Sequence, residues 1–237
     1  MSEPQPPVSI PLAREWKIKR PFVYRYLDRC FVDSFFETGE LRLSSFASFA
    51  QHVDEQRLDS REGDGVVFQI NSEGSGQTIA ARICQGRNAF VLCGATCFRT
   101  KLAGDFCTDS GFRIDNTVAF ADVVSQYVPG FCMGIEGPCH YSPKRMLVRD
   151  IGAVEFDSLR ADEDTNKVDL QKLMKLVSKI AGDDMFFLKS EKYAHQNEYR
   201  LMWHTPHEVA GYIDIVCPEA RQFCTRFEDL VAETVDT

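Results

Sequence analysis

Apolar and polar positions alternate with a period of two along many short stretches of this chain, and keep a helical period along few. Residues 22–26 (Phe-Val-Tyr-Arg-Tyr) are aromatic and β-branched and predict a strand. After Asp28, the apolar positions Cys30, Phe31, Phe35 and Phe36 have helical spacing and stop at Gly39. Leu41-Arg42-Leu43 then alternates as a second strand, with Ser44 and Ser45 at its end. Residues 46–64 are polar and charged and read as a long loop or short helix. Strands at 66–70 and 78–83 flank a turn-rich run at 71–77 and predict a hairpin. Residues 89–97 are apolar enough for a central buried strand.

Further strands are predicted at 111–114, 130–135, 146–149 and 151–155, with a helix near 117–127. Residues 157–165 are acidic and read as a surface loop. From 167 to 180 the positions Leu170, Leu173, Met174, Val177 and Ile180 mark an amphipathic helix. Strands at 198–203 and 211–216 and a last helix near 219–232 complete the pattern. Strands outnumber helices without regular β-α-β alternation. The expected fold is therefore α+β: one strand-rich domain over 14–237, with a central mixed or antiparallel sheet and flanking helices. Residues 1–13 hold Pro4, Pro6, Pro7 and Pro11 and predict an extended or disordered arm.

Composition narrows the class. With 44% hydrophobic and 26% charged residues, a chain of 237 residues can bury a substantial core without disulfides or metal. Nine cysteines, an odd number with no Cys-x-x-Cys pair, read as reduced thiols in a cytoplasmic protein. The N-terminal residues lack the basic and apolar regions of a secretory leader, and no apolar run approaches the ~20 residues of a membrane span. A net charge of −8 argues against a general nucleic-acid-coating surface, though a local basic cleft stays possible.

Three constellations carry candidate chemistry. Arg25 on the first strand and Ser44 or Ser45 at the end of the second are expected on neighbouring strands, where a guanidinium fork and a hydroxyl grip phosphate. The plainer alternative is a surface arginine in an ion pair. Residues 52–63 form the densest charge cluster, with Asp54, Arg57, Asp59 and Glu62 as site candidates. A solvated face is the usual meaning of such a run. Asp54, Asp59 and Glu62 form a conceivable Mg²⁺ set, although no metal-loop spacing supports it. On the strand at 198–203, Glu198, Arg200 and Met202 share one face and Tyr199, Leu201 and Trp203 the other. That places a carboxylate rigidly against an apolar backing, either as a functional group or as a structural pair with Arg200. His204 and His207 flank Pro206 and make a poor metal pair, and adjacent Cys139 and His140 would point to opposite faces of a strand. Gly74-Ser-Gly76 has no following helix, and neither a P-loop nor a Gly-x-Ser-x-Gly is present.

The order of these elements resembles the mono-ADP-ribosyltransferase fold. Tyr24-Arg25 looks like its first motif, residues 37–43 (Glu-Thr-Gly-Glu-Leu-Arg-Leu) like its helix exit and second strand, Ser44-Ser45 like its hydroxyl motif, and Glu198 like its late-strand glutamate. The stretches 23–63 and 186–203 are also similar to an uncharacterised bacterial domain family found beside phage-defence and toxin genes. Gln196-Asn-Glu198 reads as the Gln-x-Glu of arginine-modifying members, whereas the middle motif lacks the usual Ser-Thr-Ser. The resemblance implies NAD as substrate and a transferase acting as a toxin or antiviral effector. In that picture Arg25 clamps the pyrophosphate and Glu198 holds the nicotinamide ribose. Ser45 shapes the nicotinamide pocket, Tyr26 or Tyr141 stacks on the ring, and Tyr24 and Ser44 complete the NAD site. A protein or nucleic-acid acceptor and an inhibitory partner protein are implied as partners. Two other readings stand beside it: a non-enzymatic sensor or adaptor binding a protein or nucleotide through Asp54–Glu62 and Glu198–Arg200, and a metal-dependent hydrolase at Asp54, Asp59 and Glu62.

Overall fold

A computed structural model of the chain describes residues 20–49, 64–70, 78–84, 86–150, 160–162 and 165–227. The expected arm at 1–13, the charged run at 52–63, the turn at 71–77 and the strand at 151–155 lie outside these residues. Strand β1 (Val23–Leu27) leads into helix α1 (Arg29–Thr38), strand β2 (Glu40–Ser45) and the one-turn helix α2 (Phe46–Phe49). The hairpin β3 (Asp64–Ile70) and β4 (Thr78–Cys84) precedes β5 (Ala89–Ala95), α3 (Thr100–Asp105), β6 (Ser110–Ile114) and α4 (Thr117–Ser125). Strands β7 (Met133–Pro138), β8 (His140–Ser142), β9 (Met146–Asp150), β10 (Arg160–Asp162) and β11 (Thr165–Val168) follow, then α5 (Leu170–Ala181). The described chain ends with β12 (Leu188–Ser190), β13 (Glu198–His204), β14 (Tyr212–Val216), a 3-10 turn at Pro218–Phe223 and β15 (Cys224–Arg226).

The architecture follows from β5. One edge of β5 pairs antiparallel with the whole of β13, from Glu198 opposite Ala95 to His204 opposite Ala89. Its other edge takes two strands, one at each end: Tyr24 of β1 opposite Ala95, and Ser44 and Ser45 of β2 opposite Val91 and Phe90. Between these points β1 and β2 diverge, and among the described residues Leu92, Cys93 and Gly94 have no strand partner on that edge. The eight-stranded sheet thus splits into a branch through β1, β6 and β15 and a branch through β2 and β14, with β13 and β7 on the far side. Arg25 and Ser44 are therefore not on paired strands, as the sequence suggested. Both line the gap between the two branches. The fold is α+β with a mostly antiparallel open sheet.

Packing on one sheet face is apolar: Val23, Leu43, Leu92, Leu201 and Trp203 bury against Phe35 of α1 and Phe120 of α4. Each such side chain contributes about 1.5–3 kcal/mol by leaving water. The indole of Trp203 donates to the Ala121 carbonyl at 3.0 Å, so burying its polar atom leaves nothing unsatisfied. Helix α1 stops at Gly39, whose φ of 86° is left-handed and whose N–H bonds the Phe35 carbonyl at 2.8 Å. The opposite face of β13 carries Glu198, Arg200 and Met202, in the alternation its sequence implies.

Several elements differ from expectation. The helix expected near 219–232 is present only as the 3-10 turn at Pro218–Phe223, because Cys224–Arg226 then pairs with β6 and extends the sheet. The acidic stretch near 157–165 contains β10, which pairs with β11 as a small ladder. Helix α5 leaves Leu170 and Met174 exposed and buries Leu176, so its apolar stripe is only partly covered. Among the described residues no helix is long and apolar enough to cross a membrane.

Candidate functional site

Glu198 begins β13 at the point where the sheet branches. Its backbone N–H donates to the Tyr141 hydroxyl at 2.7 Å, and its carbonyl accepts from Cys139 N–H at 2.8 Å. Tyr141 lies on β8, which pairs in parallel with β12 and sets Lys189 beside Tyr141 in register. This pairing delivers Lys189 to Glu198. The ammonium of Lys189 bonds Glu198 Oε2 and also donates to Gln196 Oε1 at 2.9 Å. Arg200, two residues along the same strand face, donates from Nε to Glu198 Oε1 at 2.7 Å and from Nη1 to the Phe186 carbonyl at 2.5 Å. The Cys139 thiol reaches Glu198 Oε1 at 3.5 Å.

All three charged side chains are buried, with Glu198 7%, Lys189 6% and Arg200 1% exposed. Burial alone would raise the Glu198 carboxyl, but the charges of Lys189 and Arg200 outweigh it and hold the group well below the usual carboxylate range. Glu198 is therefore an anion at neutral pH: a hydrogen-bond acceptor and a fixed negative charge, not a proton donor. Burial pushes the Cys139 thiol well up, with Arg200 opposing and Glu198 adding to the effect, which disfavours the thiolate. Burial likewise raises the Tyr141 phenol.

The gap between β1 and β2 opens into a cavity of about 660 Å³, within the roughly 300–1,000 Å³ of small-molecule sites. Arg25 reaches across the branch and donates from Nη1 to the Cys93 carbonyl at 3.2 Å, on the stretch of β5 that neither strand covers. Tyr24 and Tyr26 form one wall. Phe31 and Phe35 of α1 contribute apolar lining, and Lys189, Gln196 and Glu198 contribute a charged end. On β2 and β14, Ser44, Arg42, Tyr212 and Asp214 complete the opposite wall.

The cavity thus brings together Tyr24, Arg25, Tyr26, Ser44 and Glu198. Other candidates lie elsewhere. Ser45 does not line it: the hydroxyl is buried, donates to the Gly211 carbonyl at 2.8 Å and accepts the Ser48 N–H at 3.3 Å. Tyr141 lies outside the lining as a backbone anchor of Glu198, and Arg200 supports Glu198 from beneath Phe46, whose ring centroid is 5.4 Å from its guanidinium. Tyr26 meets Phe227 at 5.0 Å and Phe98 at 6.3 Å between ring centroids, and its hydroxyl accepts the Arg99 N–H at 2.7 Å. Its ring is largely committed to that cluster, which limits it to an edge contact with a ligand. Asp54, Arg57, Asp59 and Glu62 lie outside the described residues. Among the described residues no three His, Cys, Asp or Glu side chains are placed to hold a metal ion.

Gln196 was marked in sequence only as part of Gln-x-Glu, and Lys189, Arg42, Tyr212 and Asp214 were not among the candidates. Arg42 was the most accessible of these, since it shares the strand face of Ser44 by the period of two. Lys189 depends on the parallel pairing of β8 with β12, which no local pattern signals. No family model, curated protein or solved structure matches the chain.

Proposed function

We propose that this chain transfers ADP-ribose from NAD to an acceptor, with the cavity between β1 and β2 as the NAD site. The observation that carries the reading is the buried, ionised Glu198 at one end of a cleft with aromatic and cationic walls. The bond between nicotinamide and ribose breaks with its electron pair leaving on nicotinamide. Positive charge then develops on the ribose, and the acceptor nucleophile closes on that carbon and loses its proton. A carboxylate offers about four lone-pair positions. Arg200 and the Cys139 thiol take those on Oε1 and Lys189 takes one on Oε2, which leaves Oε2 able to accept a ribose hydroxyl and the carboxylate able to stabilise the developing charge. Arg25, held at the branch, supplies a cation for the pyrophosphate. Acceptors in keeping with the resemblance are a protein or nucleic-acid target, and a toxin or antiviral role follows from it.

The two cations on Glu198 also favour a second reading, a sensor or adaptor that binds nucleotide without splitting it, because they offset much of the negative field a developing cation would feel. Nicotinamide release from labelled NAD, measured with cell lysate present, separates the two. The transferase reading expects release and label transfer that disappear in Glu198→Gln and fall in Tyr24→Ala, with melting temperatures checked for both. Absence of release, together with no rise in melting temperature on adding NAD, overturns it.

A further inference from the structure

Tyr212 lines the cavity from edge strand β14 and is 52% exposed. Its ring centroid lies 3.8 Å from the Arg42 guanidinium. That guanidinium is itself pinned, with Nε and Nη2 donating to the two carboxylate oxygens of Asp214 at 2.7 and 2.9 Å. The register explains the arrangement: Asp214 sits opposite Arg42 and Tyr212 opposite Ser44, so all four share one face of the β2–β14 ladder. One side of the ring is backed by a fixed cation and the rest remains open. Such a ring needs no further ordering when a flat ligand arrives, which removes part of the entropic cost of binding.

We propose that Tyr212, backed by Arg42 and Asp214, is a stacking subsite for the purine ring of a nucleotide. This rests on the reading of the cavity as a dinucleotide site and assigns its second end. In the strand order β13–β5–β2–β14, three spacings of about 4.8 Å separate Tyr212's strand from that of Glu198, and Tyr212 is in register with Met202, four residues along β13, so the two positions lie roughly 19 Å apart. One ring cannot meet both ends, whereas a ligand with a ring at each end can. Stacking on an aromatic side chain suits a nucleotide base because every base has a π-face.

Titration of ADP-ribose, AMP and nicotinamide mononucleotide by calorimetry tests this. Tyr212→Ala is expected to weaken ADP-ribose and AMP about tenfold and to leave nicotinamide mononucleotide unchanged, while Tyr212→Phe keeps wild-type affinity. Because the side chain is half exposed, the alanine variant should fold. Equal AMP affinity in wild type and Tyr212→Ala overturns the subsite, as does a wild type that binds neither AMP nor ADP-ribose. Tyr212-dependent AMP binding without any NAD cleavage retains the subsite and removes the transferase reading. NAD cleavage with a KM unmoved by Tyr212→Ala does the reverse.

Discussion

Arg200 and Glu198, two residues apart on β13, share one strand face and bind each other through Nε and Oε1 at 2.7 Å. Lys189 meets the other carboxylate oxygen from β12, so one buried anion is bracketed by two cations. Desolvating three charges is costly, and only their mutual contacts offset it. Removing the central anion leaves two buried cations facing each other. Glu198→Ala is therefore expected to lower stability by about 3–5 kcal/mol, and Glu198→Gln by less, since the amide oxygen still accepts a hydrogen bond. Urea denaturation followed by circular dichroism measures both; a loss within error of zero for Glu198→Ala would falsify the triad as a stabilising unit.

The same triad sets a pH dependence. The Glu198 carboxyl titrates below its unfolded value of 4.5. Its ionised form then contributes in full above about pH 4.5 and is lost as pH falls toward the folded value. Wild type should lose more stability than Glu198→Gln between about pH 6 and about pH 3, measured as the difference in urea midpoints. Parallel curves for the two proteins would show that Glu198 titrates normally.

How the candidate site was legible depends on the range of each interaction. The alternation along β13 separated Glu198, Arg200 and Met202 from Tyr199, Leu201 and Trp203 because it is a local property of one strand. Gly39 marked the end of α1 because a left-handed cap is also local. The position of Lys189 was not legible, since it follows from β12 pairing with β8, 48 residues away at Lys189 and Tyr141. Nor was the branch in the sheet. Whether β1 and β2 pair with each other or share one edge of β5 is decided by packing across the whole sheet, and that decision creates the cavity. The roles of Ser44 and Ser45 were indistinguishable in sequence for the same reason, since only the partners of β2 decide which hydroxyl faces the cleft.

Those two serines should separate in experiment. Ser45 ties β2 to Gly211 and receives the Ser48 N–H, so Ser45→Ala removes both bonds of a buried hydroxyl and leaves the Ser48 N–H at the start of α2 without its cap, while the Ser45 N–H still bonds the Gly211 carbonyl at 2.8 Å. It is expected to cost about 1–2 kcal/mol of stability while nucleotide affinity is kept. Ser44→Ala touches the cavity lining instead, and should weaken ADP-ribose binding with little change in melting temperature. Calorimetry and thermal melts on the two variants decide it; the opposite pattern would reassign the hydroxyl that meets the ligand.

Gly94 sits where β1 leaves β5, and a Cβ placed there would meet Val23 Cγ1 at 2.5 Å and the Tyr24 carbonyl at 2.9 Å. The contact to backbone cannot be relieved by a rotamer change, so Gly94→Ala must push β1 away from β5. The strand it displaces carries Tyr24 and Arg25, and the gap it widens is the cavity itself. Gly94→Ala is expected to lower stability by about 1–3 kcal/mol and to weaken ADP-ribose binding together with it. Gly104 in α3 is the control: nothing lies within 4 Å of its added Cβ, and alanine is the better helix former. Gly104→Ala should therefore be neutral or stabilising by up to about 1 kcal/mol, with binding unchanged. If Gly94→Ala melts and binds like wild type, β1 and β5 are not as closely apposed as the branch requires.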